Sequence, residues 1–490
     1  IGELLYQLRM AGNLFDSFGL EVSKAVVAKF IQAILGFAGI IVFARVLGPT
    51  DFGGVYLLIS VVGVLKQVTG YEGAAKRRFA EADIDNREIV GAVGLFNVAV
   101  IVMTAVTALA FERHLVAYFG LEDAAWLLIG LMSALVLFSP YQTLLAARGL
   151  LSRQMWIDTV RSVLTIGLQL TLILLGFGAA GVIYGTVGAT LLCLPLTQHA
   201  LRVTPSIPSR ETVRSLWEYT KYMTPTSLIG KVYNEYDMIL IGFLVTQNAV
   251  GYYQAALKLT VPAIFLSQVA SSGLMSEVST LHSRSESFSN ELTNTLSFTS
   301  LLSIPLFFGA LAISEWLVVT VYEPAFRSAA TLLVGLALYQ VVRSQSSPYR
   351  QTLFGMDRPQ KMFRIDAVTL GLNLILGVVL VLELGTLGAV IATVIAESLR
   401  YVMSASVVRN SVEGVELFPR PILHQLLAAL TMFAVVTGAK YIVASRSVVA
   451  LLAVVGLGVG IYFSTLTLVS PQFRHTVRSI LRPIVESASS

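Results

Sequence analysis

The sequence predicts an all-α, polytopic membrane protein with about 14 transmembrane helices. Two observations lead to this fold class. First, 55% of the 490 residues are hydrophobic and only 13% are charged, whereas a soluble domain carries roughly 25% charged residues. Second, the mean hydropathy is +0.76, and apolar stretches recur along the whole chain. The composition therefore argues against a soluble enzyme.

Fourteen apolar stretches of about 20 residues each account for the predicted spans. They cover residues 22–47, 52–75, 89–110, 123–147, 159–177, 181–200, 222–245, 251–274, 293–313, 329–349, 365–383, 388–408, 422–440 and 448–470. The connections between them are short, so the sequence leaves no room for a separate globular domain.

Lysines and arginines are distributed unevenly between the connections. With a cytoplasmic N-terminus, 22 of them lie in the inside segments and 4 in the outside segments, which is the bias that sets membrane orientation. We therefore expect a multi-pass protein of the plasma or inner membrane with both termini cytoplasmic. The net charge of +5 then reflects topology and does not indicate a nucleic-acid partner.

The two ends of the chain are predicted to lie on the membrane surface. Residues 1–21 and 471–490 both carry apolar side chains at helical spacing, and the second segment adds Arg474, Arg478 and Arg482. Such patterns are typical of interfacial helices that contact membrane lipid. We expect an interfacial N-terminal helix at 1–21 and a basic amphipathic cytoplasmic tail at 471–490.

Several residue patterns of enzymes and metal proteins are absent from the sequence. Cys193 is the single cysteine, the five histidines are scattered, and no nucleotide-binding GxxxxGK[ST] motif occurs. No external connection is long enough to hold a glycosyl-transfer or ligase site with paired carboxylates. We therefore predict no catalytic residues, no metal ligands and no cofactor.

An internal repeat divides the chain. Residues 47–53 match 245–251 at a shift of 198, and residues 178–189 match 385–396 at a shift of 207. Between these matches, Pro-Tyr at 140–141 and Ile-Asp at 157–158 recur 208 residues later. A shift of six spans keeps the orientation, so the two lobes are expected to be related by a pseudo-twofold axis along the membrane normal.

The repeat gives the predicted domain organisation. Residues 22–205 form an N-lobe of spans 1 to 6, and residues 206–410 form a C-lobe of spans 7 to 12. Spans 13 and 14, within residues 411–470, fall outside the repeat and are expected to be peripheral.

The repeat also carries a family resemblance. The sequence FARVLGPTDFGGVY at 43–56 resembles the first external hairpin of the polysaccharide transport family of oligosaccharide-lipid flippases. DMIL at 237–240 and VGYYQAAL at 250–257 resemble the element that opens the second lobe of that family. This family belongs to the multidrug/oligosaccharidyl-lipid/polysaccharide exporter superfamily. Spans 13 and 14 resemble the peptidoglycan-precursor branch.

The resemblance implies a function. It implies an alternating-access flippase that moves a polyprenyl-(pyro)phosphate-linked oligosaccharide from the cytoplasmic to the outer leaflet. The product would serve cell-surface polysaccharide or glycan assembly, with glycan-assembly proteins as further partners.

Four lysines within the spans are candidate ligands of the anionic headgroup. Lys66 and Lys231 each lie about 21 Å from the outer end of their span, Lys29 lies about 27 Å down, and Lys24 lies near the inner surface. Lysine is a strong point-charge partner for phosphate. We expect Lys66 and Lys231 to face each other across a central cavity. The alternatives are snorkelling of Lys24 and Lys29 to the interface, and burial of Lys66 and Lys231 in ion pairs.

A second group is predicted to gate or couple transport. Asp237 and Lys258 lie about 12 Å and 10 Å from the outer ends of their spans, so they are expected to form an ion pair that closes the outer side. The alternative is a role in coupling to H⁺ or Na⁺. Glu235 and Asn234 lie on the face of Lys231 and join this group.

Elsewhere in the second lobe, a further ion pair is expected. Glu397 and Arg400 are one helical turn apart and are predicted to pair with each other.

Two other function classes remain open from the sequence. One is a cation- or proton-coupled multidrug exporter of the same superfamily, and a distant one is a membrane glycosyltransferase or ligase. An exporter of cationic drugs is expected to use a buried carboxylate in its first lobe, and residues 22–47 contain none. This absence favours the flippase.

Overall fold

The computed structural model describes a helical protein. It describes the backbone of residues 2–475 except 82–84, 413, 417 and 444–446. Side chains are described for residues 36–475, with the same exceptions and also without 222, 223 and 226. Within these residues there are sixteen α-helices and no strand. The helices are α1 Gly2–Thr69, α2 Tyr71–Ala80, α3 Asn86–Ala110, α4 Glu112–Phe119, α5 Ala124–Ala147, α6 Leu151–Leu172, α7 Gly178–Leu201, α8 Arg210–Leu244, α9 Gln247–Ser283, α10 Ser289–Thr299, α11 Ser303–Tyr322, α12 Ala329–Gly355, α13 Pro359–Leu384, α14 Thr386–Arg409, α15 Arg420–Ile442 and α16 Val448–Val469.

The helices confirm the predicted fold class. Ten helical stretches of the described residues are long and apolar enough to cross a membrane. Some of these stretches contain two predicted spans, as Leu151–Leu201 does. The remaining predicted spans coincide with α8 and α12, which carry more polar side chains. The predicted spans therefore fall on helical segments, and the span predicted at 293–313 is divided between α10 and α11.

Two boundaries near the first hairpin differ from the prediction. The first two spans form one helical run, α1, which is interrupted at Gly48 (φ 68°, ψ 176°) immediately before Pro49. The second span ends at Thr69 instead of residue 75, because Gly70 takes a left-handed conformation (φ 60°) and a separate helix begins at Tyr71. This helix, α2, is much more polar than the span before it.

The backbone reproduces the internal repeat in detail. Gly178 (φ 50°, ψ −132°) and Gly385 (φ 59°, ψ −140°), which are 207 residues apart, share a conformation that residues with a side chain rarely adopt. Three residues later, Gly181 and Gly388 both cross the preceding helix closely. A Cβ at Gly388 would lie 1.9 Å from the carbonyl oxygen of Leu380. The two hairpins therefore share the conformation of the glycine at the turn, although a π-helical segment, Ile173–Phe177, precedes the first one.

The chain divides into two compact units, residues 1–231 and residues 232–490. The sequence placed the boundary after residue 205, whereas the first unit continues into α8. The reason is that the start of α8 is bonded to the first unit. Glu88 accepts hydrogen bonds from the backbone N–H and hydroxyl of Ser209 and from the hydroxyl of Thr212. Arg77 donates to the hydroxyl of Tyr219 at 2.7 Å.

In the second unit, apolar cores join several helices each. One core surrounds the fully buried Tyr349, between α9, α10, α12, α13 and α14. Another surrounds Trp316 and joins α11 to α15 and α16, the helices of predicted spans 13 and 14. Large apolar side chains such as Ile375 and Leu382 are about two-thirds exposed, as expected for helices that face lipid.

Candidate functional site

The first unit contains a half-buried charged cluster around Lys66. The Nζ of Lys66 lies 3.2 Å from Oε1 of Glu72 and donates a hydrogen bond to Oγ of Ser139 at 2.6 Å. Ser139 in turn donates to Oε2 of Glu72 at 3.4 Å. The side chains of Lys66 and Glu72 are 25% and 24% exposed. The three side chains therefore form a closed polar triad, which we call the Lys66 triad.

The turn between α1 and α2 positions this triad. Lys66 lies in the last turn of α1, and Glu72 lies in the first turn of α2. The left-handed turn at Gly70 is packed tightly, because a Cβ there would lie 1.8 Å from Oγ1 of Thr224. The N-terminus of α2 has no side-chain cap, so its unpaired N–H groups and dipole favour a negative charge. The fold thus places a carboxylate at a helix end that stabilises anions.

The side chain of Lys231, from α8, packs against the face of α1 that carries Lys66. A Cβ at Gly63 would lie 2.9 Å from Cε and 3.1 Å from Nζ of Lys231. Gly63 is three residues before Lys66, a spacing that places both on one side of a helix. The two lysines were expected in different lobes, whereas both belong to the first unit, and Lys231 reaches the face of α1 that carries Lys66.

Lys24 and Lys29 are the other predicted headgroup ligands. Their backbone belongs to α1, but their side chains lie outside the residues whose side chains the structure describes. Their predicted role stays a prediction.

Asp237 is the centre of a buried polar cluster in the second unit. Its Oδ2 accepts hydrogen bonds from Tyr253 at 2.7 Å and Thr393 at 2.6 Å. Asn373 lies beside the same carboxylate, outside hydrogen-bonding geometry, and Oδ1 has no partner among the described residues. Asp237 is 6% exposed. Hydroxyl and amide side chains thus converge on a buried carboxylate.

The described hydrogen bonds of Asp237 come from hydroxyl groups. Glu235 interacts electrostatically with Lys258. Asn234, the remaining member of this predicted group, has an exposed side chain. The gate formed by Asp237 and Lys258 stays a prediction.

The predicted pair of Glu397 and Arg400 is confirmed, and it belongs to a larger network. Nη1 of Arg400 lies 3.1 Å from Oε2 of Glu397, and Nε lies 3.3 Å from Oδ1 of Asp366. The guanidinium is 3.4 Å above the ring of Tyr233, whose hydroxyl donates to Glu397 at 3.0 Å. Ser346 also donates to Glu397. The side chains of Arg400 and Glu397 are 4% and 1% exposed.

Asp366 links this network to α12 through Arg350, whose Nη2 lies 3.3 Å away. The sequence marked Asp366 only as the repeat of Asp158. In the first unit, Asp158 pairs with Arg161 at 2.8 Å. The repeat therefore signalled a paired carboxylate in both units, although the distant partner of Asp366 could not be read from it.

Two groups of the Lys66 triad, the ammonium of Lys66 and the hydroxyl of Ser139, are of the kind that binds oxyanions. In the structure they contact the carboxylate of Glu72. Among the described residues, no group of three or more His, Cys, Asp or Glu side chains is arranged to hold a metal ion. Cys193 is buried.

Comparisons with known proteins agree with the family resemblance. A family model described as "Polysaccharide biosynthesis protein" matches residues 42–331. The chain is 26% identical over 468 residues to the "Probable low-salt glycan biosynthesis flippase Agl15" of Haloferax volcanii, covering 93% of this chain and 98% of that protein.

Solved structures share the fold. The structure "Lipid II flippase MurJ, inward closed conformation" matches with a TM-score of 0.75 at 16% identity, covering 93% of this chain and 99% of that chain. An inward-facing multidrug resistance MATE family transporter of the MOP superfamily matches with a TM-score of 0.59 at 18% identity, covering 79% of this chain and 98% of that chain. At these identities the likeness shows the fold.

Proposed function

Because the chain belongs to the polysaccharide biosynthesis protein family, whose model covers more than half of its length, we propose that it is a flippase for a lipid-linked oligosaccharide. The relative that matches nearly end to end is itself named a probable glycan biosynthesis flippase. The substrate is a polyprenyl-(pyro)phosphate-linked oligosaccharide, which moves from the cytoplasmic to the outer leaflet for cell-surface polysaccharide or glycan assembly.

The observation that carries this proposal is that the side chain of Lys231, from α8, lies against the face of α1 that carries Lys66. A charged side chain within a membrane costs at least about 2.5 kcal/mol near the centre by insertion scales, so two neighbouring ammonium groups make this face favourable for an anion. A phosphate headgroup is such an anion, and it competes with the carboxylate of Glu72, which lies 3.2 Å from Lys66. Lys29 and Lys24 are proposed as further ligands of the headgroup.

The lysines lower the barrier to translocation. A phosphate that crosses a region of low dielectric loses much of its hydration. A nearby ammonium compensates for that loss, because Coulomb attraction strengthens as the dielectric falls. The sugars occupy the hydrated cavity, the polyprenyl tail stays in lipid, and rocking of the two repeat-related lobes gives alternating access. Both termini are cytoplasmic in this scheme, and the membrane is the plasma or inner membrane.

Asp237 is the proposed coupling group. Its buried carboxylate has one oxygen without a hydrogen-bond partner among the described residues, and hydroxyl and amide groups surround it. Such a site suits a proton or Na⁺, since a buried carboxylate is strongly stabilised by a bound cation. Glu235, Lys258 and Asn234 form the adjoining group that responds to its charge.

The multidrug exporter is the second candidate, and it is the less well supported one. The MATE transporter shares the fold at 18% identity, which does not transfer a substrate. A carboxylate does occur in the first unit, Glu72, but Lys66 neutralises it at 3.2 Å. Lys231 brings a second ammonium group to the same face of α1, so the charge pattern around Glu72 favours an anionic substrate. We propose no catalytic role, which leaves the glycosyltransferase or ligase without a site.

Transport in proteoliposomes tests the proposal. Lys66→Ala, Lys231→Ala and the double variant are reconstituted with a fluorescent polyprenyl-diphosphate oligosaccharide, and its movement is followed by quenching of one leaflet. Loss of one charge-assisted phosphate contact of about 1.5–3 kcal/mol predicts a tenfold or larger fall in kcat/KM for each single variant. Lys440→Ala is the control, because Lys440 bonds only the carbonyl of Ala312 in the described residues.

A double variant that transports at the wild-type rate, with normal reconstitution, removes the role given to the lysines. Transport of cationic drugs, with none of the lipid-linked sugar, supports the exporter.

A further inference from the structure

We propose that Glu72 is an internal counter-ion that occupies the phosphate site of Lys66 and Ser139, and that the phosphate of the substrate displaces it. This inference rests on the proposed function and deepens it. It adds Ser139 as a headgroup ligand and gives Glu72 a regulatory task. The ligand class is a phosphate oxyanion.

The Lys66 triad has the composition of an anion site that already holds an anion. An ammonium at 3.2 Å and a hydroxyl at 3.4 Å converge on the carboxylate of Glu72. Lys66 also donates to Ser139 at 2.6 Å, which fixes the two ligands relative to each other. The uncapped N-terminus of α2 adds a third source of positive potential. A phosphate oxygen can make the same contacts as the carboxylate oxygen.

The surroundings of Glu72 allow it to leave. It is 24% exposed, and its described partners are Lys66 and Ser139. Glu397 in the second unit shows the opposite arrangement, because it is 1% exposed and is bonded to Arg400, Tyr233 and Ser346. Removing Glu397 from its partners would strand several buried polar groups. Glu72 can instead rotate toward water when a stronger anion arrives.

Displacement has a consequence for the transport cycle. In the empty protein, Glu72 keeps the charge of Lys66 compensated, so the site does not hold an uncompensated cation within the membrane. After translocation, the return of Glu72 competes with the phosphate and promotes its release. Glu72 therefore weakens headgroup binding and accelerates turnover. Removal of its charge is expected to lower KM and kcat together.

The test uses the full chain in lipid nanodiscs for binding and in proteoliposomes for transport. In Glu72→Gln, the side chain keeps its shape and loses its charge. We expect the Kd for the polyprenyl-diphosphate oligosaccharide to fall about tenfold, the factor of one charge-assisted contact, and kcat to fall at the same time. Ser139→Ala is expected to raise the Kd severalfold, and Glu72→Asp, which keeps the charge, to behave like the wild type.

Glu81→Gln is the matched control. Glu81 follows the same helix, α2, and pairs with Arg78 at 2.7 Å and Arg77 at 3.5 Å. The hydrogen bond from Arg78 keeps the pKa of Glu81 below its usual range, so this variant also removes one negative charge at neutral pH. A general increase in positive potential would therefore affect both Gln variants, whereas displacement affects only Glu72→Gln.

Inorganic pyrophosphate and phosphatidylglycerol vesicles are the other binding probes. A gain in affinity of Glu72→Gln for the lipid-linked sugar, with lower kcat, supports the proposal. A gain confined to pyrophosphate or phosphatidylglycerol overturns the assignment to the transported headgroup, and unchanged or weaker binding of all probes overturns the displacement. The proposed function is tested separately, because the binding measurements do not require transport. It is removed if the wild type transports no lipid-linked sugar.

Discussion

Removal of Arg400 is the most demanding test of the energetics inferred for the second unit. Arg400→Met keeps the length and packing of the side chain but removes its charge. Glu397 would then lose its 3.1 Å partner and keep the hydroxyl donors Tyr233 and Ser346 together with the weaker attraction of Arg350 and Arg343, while Asp366 would keep Arg350.

The expected cost follows from this burial. Breaking a buried ion pair by removing one partner typically costs about 3–5 kcal/mol, because the remaining charge is desolvated with less compensation. The stacking of Arg400 on Tyr233 at 3.4 Å adds roughly 0.5–2 kcal/mol. Arg350 and Arg343 still attract Glu397, so we expect Arg400→Met to lower the free energy of unfolding by about 3 kcal/mol.

Reversible unfolding in mixed micelles, followed by tryptophan fluorescence, gives the measurement. Arg214→Gln is the control, since Arg214 forms an exposed pair with Glu218 (80% and 50% exposed) that is worth less than about 1 kcal/mol. The double variant Arg400→Met/Glu397→Met is expected to be less destabilised than Arg400→Met alone, because no orphan carboxylate remains. A cost of Arg400→Met equal to that of the control, or a double variant worse than the sum of the single ones, would refute the reasoning.

Two further predictions concern the repeat and the coupling group. Gly385→Ala is expected to lower the free energy of unfolding by about 1–3 kcal/mol in the same measurement, because the backbone at this position (φ 59°, ψ −140°) is strained for alanine. Gly371→Ala, in an open helical position, is the control. Equal costs of the two variants would contradict this account. Asp237→Asn is expected to make transport independent of an imposed Na⁺ or proton gradient, since it removes the charge that a cation would balance; a retained gradient dependence in proteoliposomes would exclude Asp237 from coupling.

The parts of the fold that the sequence predicts are those set by local chemistry. Span positions follow from the length of apolar stretches, and the repeat follows from residues such as Gly178 and Gly385 whose backbone conformation excludes most side chains. The Glu397–Arg400 pair could also be predicted, because i and i+3 positions on a helix are neighbours. Each of these predictions needs only a short segment of chain.

Contacts between distant segments could not be predicted in the same way. Ser139 is 73 residues from Lys66, and no helical periodicity relates them. Glu72 could not be predicted as a partner for another reason. The predicted second span continued through Gly70 to residue 75, so the start of α2 was assigned to a membrane helix. Lys258 was matched with Asp237 on depth alone, and depth does not give the direction of a side chain; the structure shows an electrostatic interaction of Lys258 with Glu235.

Exposure separates the cations that support the structure from those suited to function. The cost of placing charge in a membrane requires a partner for Lys66 and for Arg400 alike, so the presence of a partner does not distinguish them. Arg400 is 4% exposed and is held by two carboxylates and an aromatic ring. A ligand that took the place of these partners would leave several buried polar groups unpaired. Lys66 is 25% exposed and held by one carboxylate at the first turn of a polar helix. A binding site must exchange its partner, and of these two cations only Lys66 has one that can be exchanged.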